Sequence, residues 1–413
     1  MNAKSTPTSR SVTAAVASAL FAAGLGLATT ASAEDAKQSF EIYGFAQADA
    51  IYDFGRMNPD WDDAFRPSKI ANPEGIYGSN GQASLSVKQS RFGVKGTMPT
   101  AEGHAPIDFK FEFDLFGVGA DAGQTTFRLR HAYGEWGSLL VGQTNSIFMD
   151  IDVFPNVIDY WGPNGMVFWR NVQMRWTPWR TESSSFAVGI EDPNNDIDTG
   201  QIREFDPELG ENIQSNVEVP NLVAHWRTKG AWGHVQAAGI LRWLGYDTNG
   251  TPKNEPKGDV TGWGVNLSGS INVFEKDKIL LQCVYGNGIA SYMNDGGMDM
   301  APQGRLPTAT DPGNVSAEAV PLTGIVAYYD HYWNDEFSTS IGYSTTFVDN
   351  TNLQTPDTYK SGQYASVNLL YTPVQNVMIG GEVIWGDLEY KDGSTQDDTR
   401  FQFSIKYNWG KTF

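Results

Sequence analysis

The segment Ile107-Asp108-Phe109-Lys110-Phe111-Glu112-Phe113-Asp114-Leu115 puts an apolar residue at every odd position and a charged one at every even position. Side chains of an extended chain alternate between two faces, so this strand has one face of Ile, Phe and Leu and one of acids and a lysine. In water the apolar face would need a second layer, and the charged face is no dry core. Lipid on one side and a water-filled lumen on the other satisfy both. Two further stretches alternate in the same way: Trp263–Val273, and the chain end, where Phe401, Phe403, Ile405, Tyr407 and Trp409 interleave with Gln402, Ser404, Lys406 and Asn408.

Composition narrows the classes. Aromatic residues make up 13% and glycines number 44, yet mean hydropathy is −0.37 and no run of 18 apolar residues occurs, which argues against a membrane helix. Cys283 is the single cysteine, which rules out an internal disulfide framework or a cysteine-rich metal site. Acids outnumber bases 48 to 29, so a nucleic acid is not an expected partner.

The first 33 residues read as a cleaved secretory signal peptide: Lys4 and Arg10 in front, the apolar stretch Val12–Leu27, and Ala31-Ser32-Ala33 as the cleavage site. Residues 34–413 are then the mature barrel domain, with 27 basic and 48 acidic residues and a net charge of −21.

Alternation and turn residues place strands at 40–54, 81–98, 105–118, 124–136, 138–143, 166–178, 183–192, 216–228, 231–246, 258–274, 277–289, 317–333, 336–348, 360–373, 376–390 and 398–413. The expected fold is an all-β transmembrane antiparallel up-and-down barrel of sixteen strands. Short connections (100–104, 137, 178–182, 229–230, 275–276, 334–335, 372–375) alternate with long ones (55–80, 144–165, 193–215, 247–257, 290–316, 349–359, 391–397). Only Gly119–Gly123 is a short member of the long set. The short set is periplasmic, with both termini, and the protein is expected in the bacterial outer membrane. Tyr43, Trp136, Trp176, Trp226, Trp243, Trp263, Trp333, Trp385 and Trp409 are expected in aromatic girdles.

Phe127-Arg128-Leu129-Arg130-His131-Ala132-Tyr133, followed by Val141-Gly142-Gln143-Thr144-Asn145-Ser146-Ile147-Phe148, resembles the DcaP-like family of trimeric outer-membrane porins. Tyr43-Gly44-Phe45 through Asp49-Ala50 resembles that family's opening strand. The likeness is strongest over 40–190; beyond that only the barrel rhythm is shared. Some members carry an N-terminal coiled coil, whereas here Glu34–Ser39 alone precedes the first strand. The resemblance implies a homotrimeric channel for passive diffusion of small hydrophilic solutes, with a preference for small anions such as dicarboxylates.

The residues themselves place a basic wall in the lumen. Phe92 and Val94 set Arg91 and Lys95 inward; Leu85 and Val87 have the other phase, so a bulge is expected near Gln89. The same parity turns Lys110, Arg128, Arg130, Arg175, Arg227 and Arg242 inward, and arginine's fork suits a carboxylate. Pairing with Asp108, Glu112 or Asp114 is the rival role for any of these cations. His131 falls on the Phe/Leu face.

The loop 144–165 holds Phe148, Phe154, Tyr160 and Trp161 among Asp150, Asp152 and Asp159. So many large apolar groups have no cover outside the barrel, so this third loop is expected to fold inward and constrict the pore. Its aspartates would then face the arginine wall and set up a transverse field.

Asp247–Gly250 and Asp295–Asp299 look superficially like cation loops but lack a recognised spacing, so no metal and no cofactor is expected. Outer-membrane lipid and lipopolysaccharide are the expected surroundings. Three other readings stay open. One is a cation-preferring general porin, since acids crowd the outer loops. Another is a plugged barrel acting as adhesin or scaffold. The third is an outer-membrane hydrolase, for which none of the five histidines sits in a nucleophile motif.

Overall fold

The structure is a computed structural model, and it describes residues 37–117 and 125–413. The segment 1–33, expected to be a signal peptide, and the Gly119–Gly123 connection lie outside the described residues.

Sixteen antiparallel strands close into a barrel. They are β1 Ser39–Asp53, β2 in two pieces (Gln82–Ser86 and Arg91–Met98), β3 Ile107–Gly117, β4 Thr126–Trp136, β5 Leu139–Asn145, β6 Arg170–Arg180, β7 Ser184–Glu191 and β8 Asn221–Gly230. The second half is β9 Gly233–Thr248, β10 Gly258–Val273, β11 Asp277–Asn287, β12 Pro321–Tyr332, β13 Phe337–Val348, β14 Tyr359–Tyr371, β15 Val377–Tyr390 and β16 Thr395–Thr412. β1 pairs with β16 from Glu41↔Thr412 to Asp53↔Arg400, which leaves no open edge. Closure is obligatory in hydrocarbon, where an unpaired backbone group costs several kcal/mol.

Strand ends differ from expectation where loops enter the lumen. β6 begins at Arg170 rather than 166, because Met166 and Val167 are fully buried in the interior core. β8 begins at Asn221 rather than 216, since Ile213–Ser215 pairs with the tip of β9. β12 begins at Pro321 rather than 317, because Asn314–Ala319 forms a separate hairpin with Met300–Arg305.

Two phase breaks shape the wall. In β2 the residues between Ser86 and Arg91 leave the ladder, so Leu85 and Val87 face out while Gln89 turns inward and donates to Asp49 Oδ2 at 3.1 Å. Between β3 and β4 the register slips after Glu112↔His131, with Phe113 opposite Leu129, so Arg130 is the extra residue and Arg130 and His131 both face the lumen. His131 therefore leaves the Phe/Leu face to which strict parity assigns it, and its Nδ1 lies 2.9 Å from Thr144 Oγ1. Tyr43 is a second correction. It pairs in register with Gly93, opposite the luminal Glu112, and its hydroxyl donates to Glu112 at 2.8 Å instead of joining a girdle.

The lumen is not evenly wet. Inward residues of β8 to β15, among them Val223, Ile240, Leu280, Val326, Tyr364 and Ile384, are buried and form a single core with loop residues. Met57, Phe65 and Ile70 come from the first outer loop, Ile147, Phe148, Met149 and Val153 from the third, and Tyr292 and Met293 from the sixth. Apolar side chains that cannot be covered outside the barrel are covered inside it. The other wall, formed by β16 and β1 to β7, carries Arg91, Lys110, Arg128, Arg130 and Lys406 on its inward face.

Candidate functional site: the luminal wall and its third loop

The third loop lies along the inner wall and is tied to it strand by strand. It starts at β7, where Glu191 accepts from Ile147 N at 2.7 Å and Ser146 Oγ at 2.8 Å. On β8, His225 Nδ1 lies 2.9 Å from Ile147 O. On β9 and β10, Gln236 and Asn266 donate to Met149 O and Phe148 O at 3.0 and 2.9 Å. Gly165 N donates to Ser344 Oγ of β13 at 2.8 Å. The far end is held at β15, where Glu382 accepts from Ile158 N at 2.8 Å and Asp159 N at 2.9 Å.

The loop's acids do not face the Arg128/Arg130 wall. Asp150 is buried among Arg227 (2.9 Å), His234 (2.7 Å) and Ser268 (2.8 Å). Burial alone would raise its pKa, but these partners hold it below the ordinary carboxylate value. Asp152 pairs with the same Arg227. Asp159 accepts from Phe65 N, Trp161 N and Gly162 N at 2.9 to 3.0 Å and lies 3.8 Å from Arg400. Burial raises its pKa against those contacts. All three carboxylates are consumed in seating the loop, so the expected transverse field from loop acids to that wall is absent among the described residues. Phe154 packs on Phe168 at 5.3 Å, and Trp161 meets Trp61 edge to face at 4.9 Å. Tyr160 alone of the loop group reaches the basic wall: it stacks on Phe116 at 3.9 Å and its hydroxyl accepts from Arg130 at 2.9 Å.

Six of the eight basic positions read from the sequence are ion-paired. Arg128 forms a fork on Asp114 at 3.0 and 2.7 Å, and Arg130 bridges Glu112 at 2.8 Å and Asp114 at 2.9 Å. Lys110 is 3.2 Å from Glu112 and Lys95 is 3.2 Å from Glu41. Arg227 is spent on Asp150. Arg242 is fully buried and donates to Asp299 at 2.8 Å, so it braces the sixth loop and does not line the passage.

Arg91 and Arg175 remain, with no carboxylate in salt-bridge range among the described residues. Lys406 on β16 and Arg170 at the start of β6 share that condition. Arg91 and Lys406 each stand 5.3 Å from the Phe45 ring centroid, on the strands flanking β1. Arg170 stands 5.3 Å from Phe168. The parity of Phe401, Phe403 and Ile405 carries the signal for Lys406 and for Arg400. Arg170 has none, since it lies where a loop becomes a strand. The Asp295 and Asp299 carboxylates are occupied by Ser68, Arg66 and Arg242, and no metal-ligating cluster occurs among the described residues.

The family model for the DcaP outer membrane protein matches residues 27–409. The chain belongs to that family. No curated protein matches it. Among solved structures, it is similar to the outer membrane channel DcaP of Acinetobacter baumannii: 21% identity, TM-score 0.74, covering 91% of this chain and 99% of that one. It is also similar to an anion-selective porin from Comamonas acidovorans (9% identity, TM-score 0.56, 90% and 100% covered). The trimer form of OmpT from Vibrio cholerae gives 12% identity, TM-score 0.50, and 91% and 100% coverage. The protein is thus an outer-membrane porin with the DcaP barrel.

Proposed function

We propose that this porin passes small anionic solutes, dicarboxylates among them, along the wall of β16, β1, β2 and β6. Arg91 and Lys406 carry the reading. Both stand over Phe45 with no acid in salt-bridge range, while Asp114 and Glu112 nearby are occupied by Arg128, Arg130 and Lys110. Selectivity follows charges that a passing ion meets unpaired, and not the net charge of the whole chain. Phe45 presents its π face to both cations, which holds them without neutralising them. The working form is a homotrimer, exported by a signal peptide that ends at Ala33.

Swelling of proteoliposomes tests this with a four-carbon dicarboxylate and a four-carbon diamine. The dicarboxylate enters faster, and changing Arg91 and Lys406 to alanine removes the difference. Equal rates, or faster diamine entry, overturn the reading. The apolar interior core favours one other reading, a plugged barrel, and swelling by neither solute would support it.

A further inference from the structure

An outward-facing cavity of about 480 Å³ lies at the end of the barrel that carries the chain termini, between the β10–β11 and β12–β13 turns. Ile279 and Tyr329 are cross-strand partners, so Asp277, two residues earlier, and His331, two residues later, share their outward face. The inward face carries Lys278 opposite Asp330. Asp277 is thus a carboxylate on the lipid side of the sheet. It is kept there by His331 Nδ1 at 2.6 Å, Tyr332 N at 2.9 Å and the Tyr329 hydroxyl. Trp333 closes edge to face on His331 at 4.3 Å.

The rim carries both signs of charge and two bare aromatic rings. Lys276 pairs with Asp335 across the two turns, and Glu275 beside it forms no hydrogen bond or salt bridge among the described residues. Phe274 is 88% exposed and Trp333 64%. Rings this bare, at the periplasmic end of lipid-facing strands, sit at headgroup height, where aromatic residues anchor in lipid.

We propose that this cavity binds the headgroup of a periplasmic-leaflet phospholipid that carries a phosphate and a primary ammonium. Lys276 meets the phosphate, Glu275 accepts from the ammonium, and Phe274 and Trp333 bracket the glycerol and upper acyl chain. Three carboxylates (Glu275, Asp277, Asp335) against one lysine and one histidine repel a headgroup of net negative charge. A quaternary ammonium offers no N–H to Glu275. The occupant is lipid because the cavity opens on the face that the bilayer covers.

Native mass spectrometry of the purified full-length protein tests the assignment. Phosphatidylethanolamine, phosphatidylcholine and phosphatidylglycerol of matched chains are supplied in equal amounts. Phosphatidylethanolamine is retained about tenfold over the others, the factor that about 1.4 kcal/mol supplies. Glu275→Gln with Lys276→Ala abolishes the surplus, and Lys229→Ala, on a different turn, leaves it intact. Equal retention of the three lipids, or a surplus that survives the double variant, overturns the proposal. Should the double variant fail to fold, brominated lipids decide it. The quenching lost on Trp333→Phe is greater with the ethanolamine headgroup if the proposal holds, and the same with all three if it does not.

Discussion

Arg400 and Asp53 face each other across the seam that closes the barrel, with Nε to Oδ1 at 2.7 Å and Nη2 to Oδ2 at 2.9 Å. Both are almost fully buried, and the same guanidinium donates to Asp62 O at 3.0 Å, so one side chain ties β16, β1 and the first loop together. Removing one partner of a buried pair leaves an uncompensated charge and costs about 3–5 kcal/mol. Arg400→Ala is expected to lower the unfolding temperature of the barrel, read as the loss of its fast-migrating folded band on heating. Unfolding at the parent temperature would show that the seam does not depend on this pair.

Glu382 holds the third loop by accepting from two backbone N–H groups, each bond worth about 0.5–1.5 kcal/mol net. Glu382→Ala removes both. Amide exchange over residues 156–160 rises, and single-channel conductance becomes larger and noisier as the loop leaves the wall. Exchange is expected to stay low near Ile147, where Glu191 provides a separate anchor.

The first loop carries a pH dependence. Burial, together with the charge and hydrogen bond of Asp63, pushes the Asp62 carboxyl from 3.8 up to about 6. A carboxyl that holds its proton more tightly in the folded state adds stability fully present below its unfolded pKa, lost as pH rises through the folded one. Amides of 59–65 are therefore better protected at pH 4 than at pH 7.5, once intrinsic exchange rates are corrected. Asp62→Asn levels the two. A parent protein with equal protection at both would contradict this.

The barrel was legible because its cause is local. Ile107–Leu115 states the two-solvent problem within nine residues, and the same rhythm recurs along the chain to Trp409. Inward direction followed from parity for Lys95, Lys110, Arg128, Arg175 and Arg227. The misreadings arose where parity breaks or where a partner is distant in sequence. A register slip at Arg130–His131 turned two consecutive side chains inward, and no composition signal marks it. Pairing was equally hidden: Arg242 meets Asp299 and Arg227 meets Asp150, contacts that exist only once outer loops enter the lumen. The apolar inward residues of β8 to β15 were a readable warning of those loops, since a wet lumen has no use for Val223 or Ile384.

The reversal potential in planar bilayers under a potassium chloride gradient tests the central claim most directly. The protein should prefer chloride. Arg91→Ala with Lys406→Ala should shift the potential strongly toward potassium, while Arg128→Ala with Asp114→Ala, which deletes a bridged pair of no net charge, should shift it less. Potassium preference in the parent, or a larger shift from the Arg128/Asp114 double variant, would contradict the account.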